Sequence, residues 1–373
     1  MTEVVVVDAC QRQGRGGSPT AVLDEASYTD EERCRIPAEL GTSHAVFIRA
    51  TGVERGRPSY SLRFFTTEGE LPACGHGTVA ALALLAIRNG GSTFHAVLST
   101  KSRTFEGWAI RTRDSSVDTP HRTDHRPPQP GSVTARFDPG PITLRAAHAS
   151  ELKAITTSLG LDGEGRLRGR RQASEVVASN ACVASNGRPR LLLPVRSRAA
   201  LANLSPDFDL LRATCDRYGL LGCYAYSIPD RHGRAAARMF APSIGVPEDI
   251  ANANSTACLA AHLTRSDTTH LTRSDTARPK RPGTNHLTRP DTSHLTVDTS
   301  HLTVDTSHLT VDTSHLIVDT SHLIVDTSHL IVDMGEHLGN PSTITATIDA
   351  THPDHPVRVG GQATIARTVL HHP

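Results

Sequence analysis

From Val79 to Ile87 the chain is apolar without a break, and the residues leading into this run are Gly69-Glu70-Leu71-Pro72-Ala73-Cys74-Gly75-His76-Gly77-Thr78. The pattern predicts a helix over residues 78–88 that is apolar on nearly every face, and such a helix is stable only when buried on all sides. The rest of the fold must therefore wrap around it. Its start is chemically loaded as well. The glycine-rich turn places a thiol and an imidazole beside unpaired backbone N–H groups at the positive end of the helix dipole, an arrangement that favours an anion.

The surrounding sequence supplies the wrapping. Residues 4–8 read as a β-branched strand, 14–19 as a turn and 20–23 as a second strand. Gly14, Gly16 and Gly17 have neither dinucleotide-binding nor P-loop spacing. A helix opens at Asp30 and reaches about residue 40, and strands follow from Ser43 and over 60–66. Further strands are expected at 95–98, 105–111 and 133–137, with a long solvated loop over 114–131. The second half repeats the plan. A helix over 150–159 leads to a turn at 186–189 and an apolar strand at 191–195. A helix over 210–218, strands at 223–228 and 234–240, and a short apolar helix over 255–263 complete it. Each half thus runs through strands and a loop bearing acidic or imidazole groups into a short apolar helix. The expected fold is α+β rather than βαβ. It has two similar domains, 1–144 and 145–264, each a rolled β-sheet around a central apolar helix, with both helix starts facing an active-site cleft between them.

After residue 264 the composition changes abruptly. Between Asp291 and Asp333 a unit close to Asp-Thr-Ser-His-Leu-Thr-Val recurs every seven residues. Leu295 and Val297 stand two apart, so no coiled-coil seam forms. Leu-Thr-Val favours extended structure and Asp-Thr-Ser favours turns. Residues 265–334 therefore read as a low-complexity tandem-repeat insert without a core of its own. The alternative is that its six spaced histidines, from His294 to His329, bind a transition metal or build an interaction element. The fold resumes over 335–373, strand-like at 342–348 and 357–370, with Gly360-Gly361 a bulge or tight approach.

Composition narrows the partners. Across 373 residues, 39 basic side chains face 38 acidic ones for a net charge of +1, which argues against nucleic acid or a membrane surface as partner. Residues 1–10 lack the basic and apolar regions of a signal segment, so a cytoplasmic protein is expected. Seven cysteines without paired short spacing fit reduced thiols rather than a disulfide framework or a zinc knuckle.

The chain resembles the PhzF-like phenazine-biosynthesis family, whose wider fold group includes diaminopimelate epimerase. The resemblance rests on Gly17-Ser18-Pro19 with Ala21-Val22, on Ser43-His44-Ala45-Val46-Phe47, on the stretch from Phe65 to Thr78, and on residues 238–249. It continues after the repeat in Pro341-Ser342 and Val357-Arg358-Val359-Gly360-Gly361. It implies a cofactor-independent isomerase or epimerase in which a base removes an activated C–H proton from a small carboxylated metabolite and the proton is returned elsewhere. Members are often homodimers, so a homodimer is expected. Where the family carries its acid/base glutamate this chain has His44, whose ordinary pKa of about 6.5 suits proton transfer at neutral pH. His76 matches the substrate-contacting histidine, and Asp249 the acidic residue of the second loop. Ser43, Gly75, Gly77 and Thr78 at the first helix start, with Asn252, Asn254 and Ser255 at the second, are the expected substrate-binding groups. In place of the family's Pro-Ala-Thr-Gly-Ser, this chain reads Ile250-Ala251-Asn252-Ala253-Asn254-Ser255, so the glycine is lost. Cys74 lies where related racemases place a catalytic thiol, although packing is the plainer role, and Cys258 falls too late to be its partner. A Cys-x-His pattern is too weak a signal for a metal site, and none is expected. The alternative to an enzyme is an inactive relative that binds ligand or, through its repeat, another protein.

Overall fold

The computed structural model describes residues 2–112, 131–162, 175–276, 329–349 and 356–371, with the backbone alone for 266–276. The expected loop at 114–131, Gly131 apart, and the repeat copies before His329 lie outside the described residues. The first part of the chain forms β1 (Thr2–Gln11), β2 (Ser18–Asp24), α1 (Asp30–Leu40), β3 (His44–Glu54), β4 (Arg57–Thr66), β5 (Gly69–Leu71) and α2 (Gly75–Asn89). Next come β6 (Thr93–Ser99), β7 (Thr104–Arg111), β8 (Val133–Phe137), β9 (Thr143–Ala146) and α3 (Ala149–Ser158). Then follow β10 (Cys182–Ser185), β11 (Pro189–Val195), α4 (Arg198–Ala202), α5 (Phe208–Tyr218), β12 (Cys223–Ser227), β13 (Arg234–Ala241) and β14 (Val246–Asp249). The last elements are α6 (Ala253–Thr276), β15 (His329–Met334), β16 (Ser342–Ile348) and β17 (Val357–His371). By its contacts the chain divides into Met1–Asp267 with Val325–Pro373, and Thr268–Ile324. The second unit is described only as the backbone at the end of α6.

Local chemistry explains the element boundaries. α1 starts on a capping box in which the Thr29 hydroxyl accepts from the Glu32 amide while the Glu32 carboxylate accepts from the Thr29 amide, and it stops at Gly41 in the left-handed conformation. α2 begins at Gly75, earlier than the apolar run suggested, because Cys74 adopts the extended conformation of an N-cap. From Gly75 to Ala86 the helix is buried throughout, packed against β1, β2, β7, β8 and β17. The buried face of α6 at Ala257, Cys258, Leu259 and Ala260 belongs to the same hydrophobic core. Among the described residues seventeen strands form one mixed sheet system.

Most neighbouring strands are antiparallel, as expected of an α+β fold. Among the described residues four neighbouring pairs are parallel: β2 with β3, β4 with β6, β11 with β12, and β13 with β15. Each of these pairs is bridged in the chain by at least one helix, so crossover units absent from the sequence reading are present. The reason is geometric: a parallel neighbour can be reached only by a long crossover, and α1, α2, α4 with α5, and α6 lie in those crossovers. Gly360 shows the expected tight approach, since a side chain there would run into the Ala135 carbonyl of β8.

The fold takes up the chain ahead of residue 335. β15 is the last copy of the repeat, His329-Leu330-Ile331-Val332-Asp333, followed by Met334. Its alternation turns Leu330, Val332 and Met334 into the core. Asp333 is buried, accepting bonds from Arg234 at 2.9 and 3.1 Å and from Thr343 at 2.9 Å. Arg198 and Arg12 lie 3.3 and 3.5 Å from it. β15 pairs on one side with β13 and on the other with β16.

Candidate active site

The two helix starts meet. A side chain added at Gly75 would come within 2.8 Å of the Ala253 methyl and 3.0 Å of the Asn254 amide nitrogen, so this glycine lets the N-termini of α2 and α6 abut. In α2 the Cys74 sulfur accepts from the Gly77 amide at 3.4 Å, and the Cys74 carbonyl accepts from the Thr78 amide at 3.0 Å and the Thr78 hydroxyl at 2.8 Å. In α6 the Asn252 side chain accepts from the Ser255 amide at 2.9 Å, and its carbonyl accepts from the Thr256 amide at 3.1 Å. The first-turn amides of Gly75, His76, Ala253 and Asn254 precede the first intrahelical bonds, so they are available to an anion.

Three sequence-predicted groups converge here. His44, the first residue of β3, is buried with its Nδ1 3.0 Å from Nε2 of His76 and 2.9 Å from the Ser43 hydroxyl. The two imidazoles meet edge to face at 4.3 Å between ring centres. Nε2 of His76 is also 3.4 Å from the Cys74 sulfur, while its Nδ1 donates to the Ala251 carbonyl at 2.7 Å. Behind that nitrogen, at 3.8 Å, stands Asp249, which accepts from the Ala251 amide at 3.3 Å and from the Asn252 side chain at 2.9 Å. Burial, and then the charge of His76, holds the His44 pKa well below its ordinary value. Burial also works against charge on His76, but the neighbouring Cys74 and Asp249 side chains outweigh it and lift its pKa to about 10. Asp249 is raised, because burial exceeds the help of His76, Asn252 and the Ala251 amide.

These groups border a cavity of about 280 Å³. Of the expected substrate-binding residues, Gly75, Asn252 and Asn254 line it; Ser43, Gly77, Thr78 and Ser255 do not. Gly77 and Thr78 are turned inward to complete the cap of α2, and the buried Ser255 hydroxyl faces the Met239 sulfur at 3.6 Å and Arg190 at 3.5 Å. Cys258 sits inside α6, away from its start, as a buried thiol whose pKa burial raises. The hairpin between β10 and β11 supplies lining residues that sequence reasoning missed: Asn186, Arg188 and Arg190. Asn186 donates to the Asn254 side chain at 3.1 Å. Arg190 is 2 % exposed, its Nε has no partner, and among the described residues no carboxylate lies within ion-pair reach of it. An arginine directly ahead of the apolar run of β11 was the signal available, since a buried cation without a counter-charge is costly unless something anionic joins it.

With this geometry in place, comparison with known proteins is decisive. The family model for phenazine biosynthesis-like proteins matches residues 7–304. The chain belongs to this family. It is similar to trans-2,3-dihydro-3-hydroxyanthranilate isomerase of Pseudomonas aeruginosa, with 31% identity over 71% of this chain and 81% of that protein. It is likewise similar to an uncharacterized isomerase of Escherichia coli K12, YddE, with 26% identity over 70% of this chain and 78% of that protein. Among solved structures, a Bacillus anthracis phenazine biosynthesis protein of the PhzF family shares the fold, with a TM-score of 0.60 at 15% identity over 99% of each chain. A predicted epimerase of P. aeruginosa shares it with a TM-score of 0.63 at 21% identity, over 99% of this chain and 98% of that one. These relatives place the phenazine biosynthesis-like chain among isomerases, with the α+β fold of the PhzF family. Among its described residues no helix is long and apolar enough to cross a membrane.

Proposed function

We propose that the cleft moves a proton within a small carboxylated metabolite, with His44 as the base that removes it and His76 as the donor that returns one. The observation that carries this reading is the convergence of His44, His76 and Asp249 on one cavity at the abutting starts of α2 and α6. The substrate carboxylate is held by the free first-turn amides, with the guanidinium of Arg190 as its counter-charge. His44 takes the proton, and the electron pair left on carbon is delocalised toward the activating group of the substrate. His76 then protonates a second position, and the 3.0 Å contact lets the proton on His44 pass to His76, which resets the pair. Asp249 steadies the His76 imidazolium through that cycle.

The named reaction of the P. aeruginosa relative supplies the probe. With trans-2,3-dihydro-3-hydroxyanthranilate in D₂O, deuterium is expected to enter the recovered molecule, and His44→Ala should slow this by roughly 10²- to 10⁴-fold. Unchanged exchange in that variant removes His44 from the mechanism. A second reading, a relative that binds without turning over, is favoured by the Ala253 methyl, which fills space that a glycine would leave open beside Gly75. Thermal stabilisation by the same compound with no deuterium entry would select it.

A further inference from the structure

We propose that His44, Cys74 and His76 form a binding site for a thiophilic divalent cation of the Zn²⁺ class, and that the bound ion silences proton transfer. The binding rests on the donor set alone, while the silencing rests on the roles just assigned to the two histidines. Nδ1 or Nε2 of each imidazole and Sγ of Cys74 lie within 4.8 Å of one another, and all three residues are buried. His44 Nδ1 and His76 Nε2 are 3.0 Å apart, and Cys74 Sγ is 3.4 Å from His76 Nε2. A tetrahedral zinc ion needs nitrogen–nitrogen and nitrogen–sulfur edges of ~3.4 and ~3.6 Å, so small side-chain shifts admit the ion.

The surroundings suit a metal in three further respects. The Nδ1–H of His76 is anchored on the Ala251 carbonyl at 2.7 Å with Asp249 behind it, an outer contact that orients the ring and leaves Nε2 as the ligand atom. The Cys74 thiolate and the Asp249 carboxylate together offset the two positive charges of the ion, which lowers the cost of burying it. The three ligands border the cavity, so the fourth coordination position opens into it, as in zinc sites that exchange a water or bind a carboxylate there. The imidazole at position 44, where the family resemblance implies a carboxylate, is what turns this corner into an N₂S donor set suited to zinc rather than magnesium or calcium.

Binding is balanced by proton loss. The ion takes the lone pair of His44 Nδ1, displaces the proton from His76 Nε2, and holds Cys74 as the thiolate, and the displaced protons go to solvent. His44 then has no lone pair at that nitrogen to accept a proton, and His76 has none at Nε2 to return. The Ser43 hydroxyl gives up its 2.9 Å contact to the same nitrogen.

The test uses the full chain, stripped of metal by a chelator and titrated with Co²⁺. One equivalent should produce a near-ultraviolet thiolate-to-cobalt charge-transfer band and tetrahedral ligand-field bands, both erased by one equivalent of Zn²⁺. Cys74→Ser should remove the charge-transfer band while the helix stays capped, because serine is itself a favoured N-cap. His44→Ala should weaken binding by more than the roughly 10- to 100-fold typical of losing an outer contact. The repeat histidines offer imidazole only and cannot generate a thiolate band. Absence of the band in the parent, or its persistence in Cys74→Ser, overturns the site. One equivalent of Zn²⁺ should also stop deuterium entry into trans-2,3-dihydro-3-hydroxyanthranilate, with recovery on chelation, and undiminished exchange at saturating Zn²⁺ overturns the silencing. If the metal-free protein exchanges nothing, the isomerase reading fails, while the cobalt spectrum still decides the site.

Discussion

Two buried aspartates, Asp249 at the approach to α6 and Asp333 at the end of β15, meet opposite electrostatic fates. Asp333 is ringed by Arg234, Arg198, Arg12 and the Thr343 hydroxyl, and although burial pushes its pKa up, these partners hold it below the ordinary carboxylate value. Asp249 has no arginine within ion-pair reach among the described residues; its neighbours are His76, the Asn252 side chain and one amide, and burial wins. The difference separates a carboxylate that locks strands together from one kept at an energetic cost beside the His44–His76 pair. Proteins commonly tolerate such destabilisation where activity requires it.

The largest expected effect tests the structural member of the pair. Asp333→Ala leaves three arginines without their shared acceptor at the junction of β13, β15 and β16. Because those arginines are partly exposed, a loss of about 3 kcal/mol at neutral pH is expected, at the low end of what breaking a buried pair costs. The pH dependence follows from the lowered folded pKa. The contribution of Asp333 is fully present above the unfolded aspartate value of about 3.9 and is lost as pH falls through its lower folded value. Denaturant titrations of parent and variant should therefore differ widely at pH 7 and converge in strong acid. A constant gap across that range would show that packing, not charge, is what Asp333 supplies.

Asn252→Ala is the intermediate case, since it touches the Asp249 side of the comparison without altering charge. It removes the side-chain acceptor for the Ser255 amide and one of the two donors to Asp249. Loss of the cap should cost about 1 kcal/mol in unfolding experiments. Exchange activity should fall as well, because the helix start that carries the Ala253 and Asn254 amides is no longer fixed. A stability loss with undiminished exchange would detach this start from the chemistry.

How much of this was legible in the sequence depends on where the determining contact lies. The unbroken apolar run 79–87 announced a helix buried on all sides, and the acidic opening at Asp30 and the β-branched run 342–348 marked α1 and β16 locally. His44, His76 and Asp249 stood out because each sits in a motif of its own. β15 was hidden because five of its six residues repeat the units before it, and partners distant in sequence, Arg234 and Thr343 among them, distinguish the copy that enters the sheet. The parallel pairings and the role of the Asn186 to Arg190 hairpin are likewise long-range. Asn186 meets Asn254 and Arg190 meets Ser255 across the fold, and no local pattern encodes either contact.

Asp249→Asn carries the smallest stability effect and the opposite sign, which makes it the sharpest test of the comparison. A folded pKa raised above the unfolded value means that the stability linked to Asp249 is fully present below about pH 3.9 and is lost as pH rises through the folded value. At neutral pH the parent therefore carries the burden of a buried carboxylate. The amide relieves it, but only its oxygen can accept, so of the bonds from the Asn252 side chain and the Ala251 amide one is forfeited. Relief of the buried charge is largely offset by the bond left unmade, so the net expectation is a gain of less than about 1 kcal/mol at pH 7 and no gain in acid. Activity should move the other way, because the His76 imidazolium loses its nearest carboxylate. If Asp249→Asn instead destabilises the protein as much as Asp333→Ala does, the two acids share one structural role, and the contrast on which the functional assignment of Asp249 leans is gone.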